Sequence, residues 1–152
     1  MESSIQDRVI PKERWEFDQD VTECFEDMLE RSIPQYAVMR RACYDIGKKY
    51  LQEGSCVVDI GCSRGSALAP FVIAGRNKYK YLGLEVSPPM VKAAQTRLHS
   101  HIRDGYVEIR EYDLRNGIPQ VDASVFLSIL TIQFTPIEYR QEILKGIYEN
   151  LR

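Results

Sequence analysis

The sequence predicts a doubly wound α/β fold built on a parallel sheet, and three observations predict it. Short apolar runs alternate with segments of helical spacing, the first run breaks into a glycine-rich turn, and an acid closes the second run 20 residues after the turn's last glycine. Alternation of this kind belongs to parallel sheets with helices on both faces. A turn followed by a distal acid places a nucleotide-like ligand at the carboxyl edge of the first two strands.

In chain order, Val21, Cys24, Phe25, Met28 and Leu29 share one helical face, and Tyr36, Met39, Cys43, Ile46, Tyr50 and Leu51 share a second. Two helices therefore precede the sheet, with Pro34 in the first turn of the second and Gly54 at its stop. The first strand follows over Cys56, Val57, Val58, Asp59 and Ile60. Residues 66–74 are predicted as helix, 79–85 as the second strand, and Ser87-Pro88-Pro89 as the start of a helix carrying Val91, Ala94 and Leu98. Residues 106–111 alternate Val107 and Ile109 with polar neighbours, as a strand near a sheet edge does; residues 123–132 are nearly all apolar, as a central strand is. Thr135-Pro136-Ile137-Glu138 has capping-box spacing with proline at the first helical position, and Ile143, Leu144, Ile147 and Leu151 continue one apolar face. No repeat or linker interrupts this order, so we expect one domain: a helical cap over residues 1–54 and a core over residues 55–152.

With 152 residues, 44% hydrophobic and 28% charged, the chain can bury roughly two thirds of its unfolded surface in one core. A formal net charge of −2 supplies no basic field for phosphate backbones and argues against direct nucleic-acid binding. Cys24, Cys43, Cys56 and Cys62 contain no C-x-x-C pair and read as reduced thiols of a cytoplasmic protein, not as a disulfide or zinc framework. The first 12 residues are polar, without the apolar core of a signal peptide, and no stretch reaches the roughly 18 apolar residues of a membrane span.

Three chemistries compete for the turn at Gly61. A dinucleotide fingerprint requires glycine at its first, third and sixth positions, where this chain has Gly61, Ser63 and Ser66. Gly61-Cys62-Ser63-Arg64-Gly65 also spells the G-x-S-x-G nucleophile elbow, with Ser63 as nucleophile. That chemistry needs a downstream histidine, and the only two, His99 and His101, close a predicted surface helix. The third chemistry is S-adenosylmethionine binding. Val57-Val58-Asp59-Ile60-Gly61-Cys62-Ser63-Arg64-Gly65 resembles the first motif of class I methyltransferases, with Ser63 at the usual middle glycine. Glu85 matches the ribose-binding acid of their second motif, and Asp113 in Glu111-Tyr112-Asp113-Leu114 stands where they place an acid beside the adenine amine. The resemblance implies a Rossmann-like sheet, of whose strands four are readable here.

Within that superfamily, Trp15-Glu16-Phe17-Asp18, Phe25-Glu26-Asp27-Met28 and Arg31-Ser32-Ile33-Pro34-Gln35-Tyr36 resemble the carboxy-S-adenosylmethionine synthases of tRNA wobble-uridine modification. So do Gly61-Cys62-Ser63, Ser87-Pro88-Pro89-Met90-Val91 and Leu130-Thr131-Ile132-Gln133-Phe134. The resemblance implies that the carboxylate released from prephenate moves onto the sulfonium methyl carbon, and that a partner enzyme acts on the tRNA. It also implies cofactor contacts from Tyr36, Gly61, Cys62, Ser63, Asp113 and Leu114, beside the motif residues Asp59 and Gly65. Where the family has Asp-Asn this chain has Glu85-Val86, and where it has an asparagine in the fourth strand this chain has Ile129 with Ser128 adjacent. Glu85, Val86 and Ser128 are the contacts expected at those places. The arginine with which the family holds the transferred carboxylate has no counterpart in these residues. The expectation is a transferase acting on a small molecule, by methyl transfer or by making carboxy-S-adenosylmethionine; the alternative is a non-catalytic or partner-dependent fragment that binds S-adenosylmethionine. Trp15 is expected to anchor the first helix or to cover the cofactor. An uncharged fourth strand left at the sheet edge is expected to pair with another chain, as a homodimer or other assembly.

Overall fold

The computed structural model describes residues 16–152, so the expectation for Trp15 lies outside the described residues. Among these residues four strands form, β1 (Cys56–Ile60), β2 (Lys80–Glu85), β3 (Val107–Glu111) and β4 (Ala123–Leu127), all parallel in the order β3-β2-β1-β4. β1 lies between β2 and β4, and every one of its residues is buried, as its apolar sequence requires. β3 is an edge strand and buries only alternate residues of its first half, as its alternating sequence predicts.

β4 corrects two expectations. It is five residues long rather than ten, and although it reads as apolar as a central strand it is the other edge, where a fourth strand of this order was expected to be left. Its apolar character reflects cover on both faces, not a central place. Beyond Leu127 the chain leaves the sheet, Leu130 takes a left-handed conformation (φ 56), and Ile132–Phe134 form a 3-10 turn. An apolar run cannot distinguish a strand from a loop that lines a cavity. Among the described residues the outer edge of β4 is touched by one parallel bridge, Ala123 to Leu151.

Among the described residues six α-helices surround the sheet: α1 (Gln19–Ser32), α2 (Tyr36–Gly47), α3 (Ala69–Gly75), α4 (Pro88–Arg97), α5 (His99–Arg103) and α6 (Ile137–Asn150). Neighbouring strand residues point to opposite faces. Val57, Phe71, Tyr81 and Val125 therefore build the core on one side of the sheet, and Val58, Ile60, Leu84 and Ile143 build it on the other. α1 is capped by the Asp18 carboxylate, which accepts from the Val21 N–H, and it packs Val21 and Phe25 against Met90 of α4. Ser87 caps α4 as its sequence predicts.

Other helix boundaries differ for local reasons. α2 starts after Pro34, with Gln35 left-handed (φ 54) at its cap, and it stops at Gly47 rather than Gly54. A Cβ on Gly47 would lie 2.9 Å from the Phe71 ring, so that glycine serves close packing, while Gly54 serves a turn (φ 79) before β1. α3 begins at Ala69, three residues later than expected, because residues 61–68 are needed for the turn. Pro136 itself occupies the cap position of α6 and no side chain caps it; the Thr135 carbonyl accepts from Arg140 Nε at 2.8 Å. No described helix is long and apolar enough to cross a membrane.

Candidate functional site

A cavity of about 720 Å³ opens at the carboxyl ends of the strands, between the sheet, α1 and the loop after β4. That is where the strand order reverses, β2 leaving β1 on one side and β4 on the other, and open parallel sheets bind ligands at this switch point. The volume is that of an ordinary small-molecule site.

The floor is the turn after β1. Gly61 is left-handed (φ 68), and a Cβ there would lie 2.4 Å from Thr131 Cγ2, so only glycine fits. Thr131 is held in that place by its hydroxyl, which donates to the Ile60 carbonyl at 2.9 Å. The N–H groups of Gly61 and Cys62 both donate to the Leu84 carbonyl, at 2.8 and 3.0 Å, which ties the turn to β2. Ser63 is also left-handed (φ 48), a conformation that costs a non-glycine residue about 1 kcal/mol. Its N–H donates to Glu85 Oε2 at 2.9 Å, which holds it there. The turn thus spends its leading donors inside the protein, and α3 starts only four residues beyond Gly65 and has seven residues. Gly65 (φ 75) faces Ala94 and Leu98 at 3.4 Å and is a packing glycine outside the cavity lining.

Three carboxylates stand at the strand ends in different environments. Glu85 is buried; its Oε2 accepts from Ser63 and its Oε1 from the Ser87 N–H at 2.9 Å, so it clamps the turn to the start of α4. Asp59 is 2% exposed, and its Oδ2 is buried without a hydrogen-bond partner. Burial first, then the charge of Glu85, pushes its carboxyl up to about 8 against a weaker pull from Arg40. Asp113 is the reverse: a hydrogen bond from Arg115, with Nε 2.8 Å from Oδ2, holds it below its ordinary value. It also caps the 3-10 turn Leu114–Asn116 by accepting from the Arg115 N–H at 2.9 Å.

The remaining walls are apolar and aromatic. Phe17 packs edge-on to Phe25 and Phe134, with ring centroids 6.0 and 5.6 Å away, and its carbonyl accepts from the Ser87 hydroxyl at 2.6 Å. Of the residues expected at the site, Tyr36, Asp59, Gly61, Cys62, Ser63, Glu85, Val86, Asp113 and Leu114 line the cavity. Ser128 does not; it is exposed, and Ile129, Leu130 and Thr131 form that wall. The Cys62 thiol is buried against Gly83, and burial followed by the charges of Asp59 and Glu85 raises it far above an ordinary thiol, which removes it as a nucleophile. The nucleophile-elbow chemistry has no base, since neither histidine lines the cavity and His101 contacts Tyr106 instead. Sequence reasoning missed the aromatic wall and Arg64, which also lines the cavity. The expected middle-glycine place of Ser63 put its neighbour Arg64 in the right turn, but no periodicity reports an inward side chain.

Comparison with known proteins bears on the family and the fold. A family model described as a methyltransferase domain matches residues 57–152. The chain is 37% identical over 139 residues to a carboxy-S-adenosyl-L-methionine synthase of Actinobacillus succinogenes, a match that covers 89% of this chain and 56% of that protein. The chain thus spans about half the length of the curated relatives it matches. In fold it is similar to a SAM-dependent methyltransferase from Aquifex aeolicus, with a TM-score of 0.60 and 20% identity over 87% of this chain and 68% of that one. It is likewise similar to a SAM-bound amino pentose methyltransferase from Micromonospora echinaspora, with a TM-score of 0.62 and 19% identity over 93% of this chain and 55% of that one.

Proposed function

The chain belongs to the methyltransferase domain family, and from that premise we propose that it is an S-adenosylmethionine-dependent transferase acting on a small molecule, of the kind that makes carboxy-S-adenosylmethionine. The observation that carries the reading is Asp59: a buried carboxylate oxygen without a partner, lining a cavity at the strand-order switch point. Buried acceptors are nearly always satisfied, and a ligand amino group is the donor this one fits.

The residues present fit the cofactor. Glu85 keeps lone pairs beyond the two N–H bonds it accepts, which suits a ribose diol at the end of β2. Val86 and Leu114 offer apolar contact to a base, and Asp113 lies beside them. Tyr36 and Asp59 face the amino-acid end. When bound, the cofactor supplies a carbon activated by its sulfonium, so the protein's work is to position and to exclude water. Phe17, Phe25 and Phe134 do the excluding. No acid or base in the cavity is required by that chemistry, and none stands out beyond the carboxylates that hold the ligand.

The similarity to proteins named carboxy-S-adenosyl-L-methionine synthase supports the carboxylated product, and a partner enzyme would then carry it to tRNA. We also infer a homodimer, formed where the outer edge of β4 is open beyond Ala123. The deciding experiment is incubation of the full chain with S-adenosylmethionine and prephenate, read by mass spectrometry for carboxy-S-adenosylmethionine. Its formation is the expected result; absence of S-adenosylmethionine binding at millimolar ligand in titration calorimetry overturns the reading.

A further inference from the structure

The wall of the cavity that faces α1 and α2 holds more positive charge than the protein uses. Arg64 lines the cavity, its Nε is buried without a hydrogen-bond partner, and its Nη1 reaches the Glu23 carbonyl only at 3.4 Å. Arg40 of α2 donates to the Ser66 carbonyl and lies 5.6 Å from the centre of the Tyr36 ring, and its Nε is likewise buried and unpartnered. Ser66 and Tyr36 both line the cavity, so the two guanidiniums stand behind and within one wall.

The local acid does not neutralise them. Glu26 is bonded to Arg97 at 2.7 Å and to the Ser66 hydroxyl. Burial opposes its ionisation, but Ser66, Arg97, Arg64 and Arg40 together outweigh that and hold its carboxyl below the ordinary value. Glu26 bonds Arg97 directly, whereas Arg40 and Arg64 feel Glu26, and Arg40 feels Asp59, only at longer range, with no carboxylate at bonding distance among the described residues. Buried polar atoms are satisfied in the great majority of cases. An orphan guanidinium nitrogen on a residue that lines the cavity, with a second guanidinium directly behind that wall, is a donor whose acceptor arrives with a ligand. The planar guanidinium fork matches a carboxylate, and the apolar walls opposite suit an organic acid with a hydrocarbon body better than an inorganic anion.

We propose that Arg64, backed by Arg40, forms a carboxylate-binding subsite of the cavity and sets its preference for a carboxylate-bearing ligand. The carboxylate comes either from the amino-acid end of the cofactor or from a second small acid; this choice rests on the functional reading above, whereas the subsite itself does not.

Calorimetric titration of the full chain separates the cases, with R64Q compared to wild type and folding checked by circular dichroism. The probes are S-adenosylmethionine, 5′-methylthioadenosine (which lacks the aminocarboxylate) and prephenate, the last alone and with saturating 5′-methylthioadenosine. If the subsite takes the cofactor's carboxylate, R64Q weakens S-adenosylmethionine roughly ten- to hundredfold and leaves 5′-methylthioadenosine unchanged. If it takes a second acid, R64Q weakens prephenate by a similar factor and spares both adenosyl ligands. R64K, which keeps the charge and loses the fork, is expected to lose less in the same arm, and it serves in place of R64Q should that variant unfold. Wild-type affinity in the folded variant for every carboxylate overturns the subsite while leaving the cofactor reading intact. Failure of wild type to bind either adenosyl ligand overturns the cofactor reading instead, and the subsite then stands or falls on prephenate alone.

Discussion

Replacing Asp59 by asparagine should stabilise this protein at neutral pH, and the gain should depend on pH in a calculable way. Asp59 is almost completely buried, with one carboxylate oxygen unpaired and Glu85 close by, and its carboxyl is pushed up from 3.8 to about 8. Between those values the native protein holds a proton that the unfolded chain has released. Stability therefore falls as pH rises, by about 1.4 kcal/mol per pH unit, and the loss is complete once pH passes the native value. At pH 7 the accumulated cost has a ceiling of roughly 4 kcal/mol, which the uncharged amide of D59N does not incur. Urea denaturation of both proteins from about pH 5 to about pH 8 reads the difference directly. The stability of D59N relative to wild type should climb across that range and level off above it. A difference that stays constant means that Asp59 is ionised in the native state throughout, and refutes the argument from burial. The same carboxylate gives a second readout: a ligand ammonium at Oδ2 favours the ionised form, so S-adenosylmethionine binding near pH 7 should release a proton, detectable as a buffer-dependent heat, and D59N should abolish it.

The other expectations follow from single contacts. Glu85→Ala strands the Ser63 and Ser87 N–H groups, so it should lower stability by about 1–3 kcal/mol for each buried donor and remove S-adenosylmethionine binding; Glu85→Gln, which retains one acceptor, should lose about half as much in thermal melting. Gly61→Ala and Gly54→Ala both force alanine into a left-handed conformation at about 1 kcal/mol, but only at Gly61 does the added Cβ meet Thr131, for about 1–3 kcal/mol more. Equal melting temperatures for the two variants would show that the turn does not need to lie so close to Thr131. Native mass spectrometry should find a dimer, since the β4 edge is open and Ile137, Leu144 and Tyr148 of α6 are exposed apolar residues; a monomer at micromolar concentration removes that inference.

Much of this arrangement was legible because local chemistry and the fold agree. The apolar β1 run, the break at Gly61 and the acid ending β2 each mark a strand end in the sequence, and they lie together at one edge of the sheet. The sequence was less informative where packing decides. Ile129, Leu130 and Ile132 extend the apolar run of β4, yet Thr131 bends this segment over the turn by bonding the Ile60 carbonyl, so the expected contact at Ser128 lies outside the cavity and its neighbours lie inside. Position 47, the last of α2, is glycine because Phe71 crowds it, a relation between residues 24 positions apart that no window of periodicity contains.

The two acids at the heart of the site show the same division more sharply. In sequence Asp59 and Glu85 are alike, each near the end of an apolar strand. In the folded chain the longer glutamate reaches two backbone N–H groups, one from the turn and one from the start of α4, and accepts from both. The shorter aspartate, on the neighbouring strand β1, reaches no donor with Oδ2 and is buried with that glutamate's charge as a neighbour. On the proposed reading, satisfying one carboxylate internally leaves the other to a ligand. A turn clamped by Glu85 is already in place before anything binds, so binding need not meet the cost of ordering it. Asp59, in contrast, gains its partner only when a cation or a donor enters, and that makes it the residue whose ionisation should report occupancy of the cavity.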